Sequence, residues 1–366
     1  MLTDSDLRSL VAFSSPSLVL SVYLNTEPSE GNAEAYKLRL RSMLKPFYLP
    51  QDVEAVIRYV EHEYGGQGRG MAVFSCANQS FFRAFPLALP VPNLVHVSDR
   101  PSLKPLVNLF DNYGGYGVVL VDKQGARVFS FHLGELREQE GTLGQTVKQT
   151  KHGGASTLTG RKGGTGGQTQ HVDEIIERNM KEAAEFAVHF FEQNRVRRIL
   201  IGGTDDNVTL FRSHLSKAWQ SLVVDTFAMP MTASHAEVLA KALALGREAE
   251  IQREVKLVED MITLAAKGGG AVTGLEETLR EVNNTKVQLL VIEEGMTEVG
   301  YRCKACGHLT SHSSKVCPVC EGEMVGQHDI VELAVSAVMR AGGEVEVVHH
   351  NPRLQQAGQV GAMLRY

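Results

Sequence analysis

At 366 residues the chain is too long for one ordinary core and calls for two or three domains. Hydrophobic residues at 43% against 22% charged exclude a disordered chain, and a formal charge of -5 excludes a molecule that is basic throughout, so any contact with RNA needs a local basic patch. No apolar run approaches the ~18 residues of a spanning helix, and Met1-Leu2-Thr3-Asp4 lacks the basic and apolar stretches of a secretory signal, which gives the expectation of a cytoplasmic protein.

Taken in order, the chain first reads as an α/β unit over residues 1–112. Leu18 to Leu24 has the apolar, β-branched character of a strand, and Glu34 to Leu44 that of a helix. Val53, Val56, Ile57 and Val60 repeat at helical spacing up to Tyr64, and the glycines from Gly65 to Gly70 turn the chain into a strand at Met71. Prolines 90, 92, 101 and 105 then lead to a boundary. A second α/β unit, residues 113–249, opens with a hairpin, Tyr116–Val121 and Ala126–Phe131 about a turn at Asp122 to Gly125. A long amphipathic helix is expected from about Val172 to Gln193, a strand at Arg198 to Gly203, a helix near Leu210 to Trp219 and a strand at Leu222 to Val224. This alternation predicts a layered domain with a mainly parallel sheet. The third unit, residues 250–366, has helical stretches up to Ala266 and from Leu275 to Val282, a strand from Val287 to Ile292, a helix from Ile330 to Met339 and a strand from Glu344 to Val348.

The third unit is interrupted by cysteines. Cys303-x2-Cys306-x10-Cys317-x2-Cys320 has the spacing of two short knuckles that can share one tetrahedral ion. Four thiolates leave no open position for water, so the expected ion is a structural zinc within residues 301–325, coupled to the folding of that segment. Free cysteines in a redox-active loop are the alternative. His308 and His312 lie close by but are not needed in the shell. Cys76 stands alone.

Residues 141–171 contain nine glycines and no Asp or Glu. Lys148, Lys151, Arg161 and Lys162, with His152, make this segment a compact electropositive patch on an acidic chain, suited to a phosphate backbone. It ends in Gly166-Gly167-Gln168. Glycines allow close backbone approach and positive φ, a backbone N–H can face developing charge, and a side-chain amide can orient water. Residue chemistry leaves a generic flexible RNA-contacting loop open. A nucleotide-phosphate loop lacks its Gly-Lys-Ser/Thr, here as at Gly268-Gly269-Gly270, which reads as a turn.

Lys151-His152-Gly153-Gly154 through Gly166-Gly167-Gln168, leading into a long helix, resembles the catalytic loop of archaeal and eukaryotic class-I peptide chain release factors. With the embedded cysteine ribbon and the close at Gly358, Gly361 and Leu364-Arg365-Tyr366, the whole chain is similar to the bacterial archaeo-eukaryotic release factors, family 10. The resemblance implies an α/β, three-domain architecture whose last domain is L7Ae-like and carries the zinc ribbon. It implies ribosome-dependent hydrolysis of the peptidyl-tRNA ester by Gly166, Gly167 and Gln168, with Lys148, Lys151, His152, Arg161 and Lys162 on tRNA or ribosomal RNA phosphate. The implied partners are the ribosome, its RNA, peptidyl-tRNA and a translational GTPase, with no membrane.

The chain departs from that pattern twice. Eleven residues, Ala155 to Thr165, separate Gly154 from Gly166 where the family runs almost directly into Gly-Gly-Gln. Neither decoding motif of the family, Asn-Ile-Lys-Ser or the Tyr-Cys-Phe pattern, occurs in residues 1–110, which favours rescue over codon reading. A non-catalytic ribosome- or RNA-binding factor of the same shape is the second reading, and a structural scaffold the third. Weaker signals take plain readings: Gly65-Gly66-Gln67 a turn, His349-His350 a surface pair, Asp205-Asp206 a helix start, and Trp219 core.

Overall fold

A computed structural model describes residues 2–144 and 165–365, the side chains of residues 138 and 165–170 excepted. The first segment runs α1 (Asp4–Ala12), β1 (Val19–Asn25), α2 (Ala33–Leu44), α3 (Pro50–Arg58), β2 (Gly70–Cys76), β3 (Phe81–Leu87), β4 (Leu94–Ser98) and α4 (Lys104–Tyr113). The middle segment has β5 (Tyr116–Asp122), β6 (Gly125–His132), β7 (Glu135–Leu143), α5 (Thr165–Gln193), β8 (Arg198–Gly202), α6 (Asp205–His214), α7 (Lys217–Gln220) and β9 (Val223–Phe227). The last segment has α8 (His235–Ala266), β10 (Ala271–Thr273), α9 (Leu275–Asn283), β11 (Val287–Glu293), β12 (Gly300–Cys303), β13 (Leu309–Thr310), β14 (Met324–Gln327), α10 (Ile330–Arg340), β15 (Glu344–Val348), α11 (Pro352–Gln356) and β16 (Val360–Leu364). Among the described residues no helix is long and apolar enough to cross a membrane. The chain divides into two compact units, Met1–Asn112 with Glu250–Tyr366, and Tyr113–Ala249.

In the second unit the sheet order is β7-β6-β5-β8-β9. The pairings β5–β6 and β6–β7 are antiparallel, while β5–β8 and β8–β9 are parallel, so the sheet is mixed rather than mainly parallel. The hairpin extends into a third strand, β7, whose polar sequence Glu135–Leu143 carries little apolar alternation to announce it. Strand β5 is buried on both faces. Val119 and Val121 pack on Met180, Ala183, Ala187, Phe190 and Phe191 of α5, while Val118 and Leu120 pack on Val238 and Ala242 of α8. That explains why Tyr116-Gly117-Val118-Val119-Leu120-Val121 reads as a continuous apolar run rather than an alternation. A Cβ on Gly117 would lie 2.6 Å from the Phe191 ring, so glycine is what lets α5 seat there.

Helix boundaries moved where caps rather than periodicity set them. The Ser234 hydroxyl and Glu237 carboxylate exchange bonds with each other's backbone N–H, at 3.4 and 2.8 Å, and start α8 far ahead of residue 250. The helix expected near Leu210 to Trp219 is instead α6 and α7, divided at Leu215, with Ser216 capping the second.

The first unit holds three sheets, β3-β2-β1-β4, β10-β16-β11-β15 and β13-β12-β14. In the first of these, Leu20, Val22 and Leu24 of β1 bury against Leu40 and Leu44 of α2 and Val56 of α3. Each such side chain stabilises the fold by about 1.5–3 kcal/mol. On the opposite face Tyr23, fully buried, donates its hydroxyl to the Ser102 carbonyl at 2.6 Å.

Residues far apart in sequence are tied at the start of α4. Glu332 of α10 is 2% exposed, and its carboxylate accepts the Leu103 N–H at 2.5 Å and the Ser102 hydroxyl at 3.0 Å. It thus takes up backbone N–H groups at the start of α4, from Leu103 and, at 3.5 Å, Lys104. Lys104 adds an ion pair to Asp329 and a bond to the Met296 carbonyl at 2.8 Å. Glu332→Ala is expected to orphan these buried donors and destabilise the first unit by about 1–3 kcal/mol for each. Burial raises the Glu332 carboxyl above its ordinary range, with Lys104 and the Leu103 N–H working against the rise. Because the folded value lies above the unfolded one, its contribution is full below the unfolded value and is lost as pH rises through the folded one. Glu332→Gln keeps an acceptor and cannot ionise, so denaturant titrations should show wild type losing stability relative to this variant from acid to neutral pH.

Candidate functional site

Two places carry the chemistry expected from the sequence. The first is the cysteine module of β12, β13 and β14. Cys303 closes β12, which pairs antiparallel with both β13 and β14. Cys303 and Cys317 are buried, and Cys306 and Cys320 exposed. All four sulfurs lie within 4.8 Å of one another, with Cys303–Cys320 at 3.4 Å and Cys306–Cys317 at 3.6 Å. A tetrahedral ion with metal–sulfur bonds of ~2.3 Å wants sulfurs roughly 3.8 Å apart, so the four thiols suit one metal.

The backbone supports that arrangement. The Cys306 N–H points at the Cys303 sulfur at 3.5 Å, and the Val319 N–H at the Cys317 sulfur at 3.4 Å. Gly307 takes φ +78° just after the first pair. A Cβ on Gly322 would come within 3.1 Å of the Cys303 sulfur and 3.3 Å of the Cys320 sulfur. The Cys306 N–H, helped by Cys320, pulls the Cys303 thiol down to about 6, whereas Cys306, despite the His308 N–H, is pushed up to about 12 by Cys320 and burial. Asn283 of α9 holds the module from outside, donating to the Leu309 carbonyl at 2.8 Å and accepting the Leu309 N–H at 2.9 Å. His312 faces Glu276 at 2.9 Å rather than the sulfurs.

The second place is the glycine-rich segment. Gly166, Gly167 and Gln168 fall in the first turn of α5, seven residues before the expected start at Val172. Residues 165–171 contain no large apolar side chain, so periodicity has nothing to register there. The side chains of residues 165–170, and Lys148, Lys151, His152, Arg161 and Lys162, lie outside the described residues. The segment departs from β7 at Gly144, whose N–H bonds the Gln124 carbonyl at 2.6 Å. Buried Asn179 of α5 donates to the neighbouring Lys123 carbonyl at 3.0 Å. The departure point and the helix that follows the segment are therefore joined through one buried amide.

The weaker signals resolve locally. Gly65-Gly66-Gln67 is a loop with Gly66 at φ +72°, stapled by the Tyr64 hydroxyl donating to the Gln67 carbonyl at 2.7 Å. Asp205 and Asp206 are first-turn residues of α6, and Trp219 packs on the core 6.3 Å from Phe191. His349 is no plain surface residue. Its Nδ1–H donates to buried Glu254 at 2.9 Å, and its backbone N–H to the other oxygen of that carboxylate at 2.9 Å. Asp111, Glu250 and Glu346 gather around Arg253, whose proton, against the effect of burial, is held more firmly than usual by Glu346 and Glu250. Sequence reasoning passed over these groups because each draws on residues at least 90 positions apart.

Residues 101–247 match the family model described as bacterial archaeo-eukaryotic release factor family 10, a span that takes in nearly all of the second unit. Peptide chain release factor subunit 1 of Thermococcus sibiricus is 22% identical over 78% of this chain and 75% of its own length. The protein of the same name from Methanocaldococcus jannaschii is 23% identical over 72% and 69%. Among solved structures, archaeal Pelota in a ribosome-bound assembly with ABCE1 aligns over 100% of this chain and 94% of its own at 13% identity, with a TM-score of 0.42. Residues 101–247 thus match family 10, and most of the chain's length is similar to archaeal peptide chain release factors.

Proposed function

We propose that this protein acts in ribosome rescue or peptide release, hydrolysing the peptidyl-tRNA ester in the ribosome through Gly166, Gly167 and Gln168. The observation that carries this reading is the placement of the tripeptide. It follows a basic segment without carboxylates and lies in the first turn of helix α5, inside the span that matches family 10. In this reading the glycines give close approach, the Gln168 N–H faces charge developing on the leaving 3′ oxygen, and its side chain places the attacking water. Lys148, Lys151, His152, Arg161 and Lys162 hold RNA phosphate. Positioning supplies most of the acceleration, which accounts for a site built without an acid–base pair. The proposed partners are the ribosome, its RNA and peptidyl-tRNA, with a translational GTPase, and the proposed place of action is the cytoplasm.

The proposal includes the three-domain division at 1–112, 113–249 and 250–366, with the last domain L7Ae-like. Its four cysteines hold a structural zinc, for which the spacing of the sulfurs is the support. A non-catalytic ribosome-binding factor is the second reading, favoured by the eleven residues Ala155 to Thr165. Ribosomes carrying labelled peptidyl-tRNA in the P site, with a stop codon or an empty A site, separate the two. Equal release on both complexes is expected, as rescue requires. Release only at a stop codon would mean decoding. Salt-sensitive binding without release, on these complexes and on split large subunits, would leave the non-catalytic reading.

A further inference from the structure

In the second unit, three arginines fall within four residues where α5 gives way to β8, Arg195-Val196-Arg197-Arg198. The backbone of this turn is held at three points. The Arg195 N–H donates to the Glu192 carbonyl at 3.2 Å and the Val196 N–H to the Phe191 carbonyl at 3.0 Å, the paired bonds that close a helix through a left-handed residue. The Arg197 N–H donates to the Gly115 carbonyl at 3.0 Å. Val196, 6% exposed, belongs to the same core as Phe191 and pins the turn from within. Arg198 lies over the Tyr116 ring, 5.6 Å from its centroid. Arg195 and Arg197 remain exposed, and among the described residues neither guanidinium has a hydrogen bond or an ion pair. Glu192, exposed three residues before Arg195, pairs with neither.

Closing the helix does not account for these two side chains. The left-handed position is the one glycine fills most easily, yet Arg195 holds it at φ +52°. The closing carbonyls already have partners, since that of Phe190 accepts both the backbone N–H and the side-chain amide of Asn194, at 3.1 and 3.0 Å. A cation placed for the helix dipole belongs in the last turn. The last turn of α5 carries Glu192 and no basic residue. A charged side chain thus stands at a strained position where glycine would close the helix more easily, and its guanidinium is left facing solvent.

We propose that Arg195 and Arg197 form a surface that contacts phosphates of an RNA backbone, distinct in sequence from the basic segment at residues 148–162. Guanidinium forks match phosphate oxygens in pairs and stay charged near neutral pH. The rigid turn presents both with little backbone left to order on binding. On a chain of net charge -5, contact with RNA calls for such a local patch. The choice of RNA rests on the proposed function, whereas the cationic surface rests on the turn alone.

The test measures binding of the full chain to a fluorescently labelled RNA hairpin of mixed sequence across a salt series, with thermal unfolding and peptide release alongside. Arg195→Gly is the informative variant. Relief of the left-handed strain should raise its thermal midpoint, while loss of one phosphate contact lowers the slope of log affinity against log salt by about 0.7–0.9. Arg195→Lys keeps the charge and should keep the slope. Arg197→Gln should lower the slope by a similar amount with its midpoint near wild type. If Arg195→Gly and Arg197→Gln combined bind the hairpin with wild-type affinity and slope, the surface falls, and peptide release that Gln168→Ala abolishes would leave the proposed function standing. A lowered midpoint with an unchanged slope in Arg195→Gly would make that arginine a structural cap and overturn the proposal. Polyglutamate binding that the double variant loses, with hairpin binding unchanged, would overturn RNA as the partner. If the wild-type chain binds no hairpin the surface falls, and if it also releases no peptide the proposed function falls with it.

Discussion

Gly167→Ala is expected to lower single-turnover peptide release about 100-fold while leaving the protein as stable as wild type, or more so. The two halves of that result have separate causes. In α5 the backbone at Gly167 is helical, and a helical glycine costs up to about 1 kcal/mol relative to alanine. If the tripeptide worked as a helix, Gly167→Ala would therefore be harmless. The proposed chemistry needs the Gln168 N–H at the leaving oxygen, and an added methyl at residue 167 blocks close approach. A displacement of ~1 Å at a reacting centre is worth on the order of 100-fold. Gln168→Ala keeps the backbone N–H and loses only the amide that places water, so it should also lose release, with ribosome binding intact. Rapid-quench release assays beside thermal unfolding measure both quantities. An unchanged rate in both variants would remove the tripeptide from the mechanism.

Removing the proposed zinc is expected to unfold residues 301–325 and weaken the first unit. Zinc binding to such four-ligand modules supplies apparent free energies of about 10–16 kcal/mol, and that free energy is folding free energy. The module has little else to hold it, since Cys303, Cys317 and Met324 are its buried hydrophobic cluster, with Tyr301 packed against them. Cys306 and Cys320 are exposed, which gives a chelator a route to the ion. Unfolding would also release the Asn283–Leu309 bonds and the Arg302–Asp99 pair, so the loss should reach α9 and β4. Native mass spectrometry should find one zinc per chain, and chelator or Cys306→Ser should lower the first unit's unfolding midpoint. A protein prepared without chelator that carries no zinc would refute the assignment.

Much of the secondary structure was legible because its cause is local. Apolar residues at period 3.6 place the body of α5 over Val172 to Gln193, and continuous apolar runs place β1, β5 and β11. The cysteine spacing was legible for the same reason, since each C-x2-C pair is one turn and places its own two sulfurs. Other local signals are present but quieter than periodicity. Thr3 and Asp6 form a capping box that starts α1, and Ser234 with Glu237 starts α8. Neither stretch shows enough apolar repeat to attract a helix assignment.

By itself, then, the sequence determined most of the strands and helices and the two close cysteine pairs, all of which depend on neighbours a few residues apart. Tertiary structure alone decided that the second sheet is mixed, because strand direction depends on which edge β8 joins and not on its composition. It alone decided that Glu332, a carboxylate in an otherwise apolar helix, caps α4 across more than two hundred residues. It also brought Arg302 of β12 to Asp99. In sequence that arginine looks like an ordinary solvated charge. Only packing removes the water and counts the partners, and the free energy of a charge depends on both.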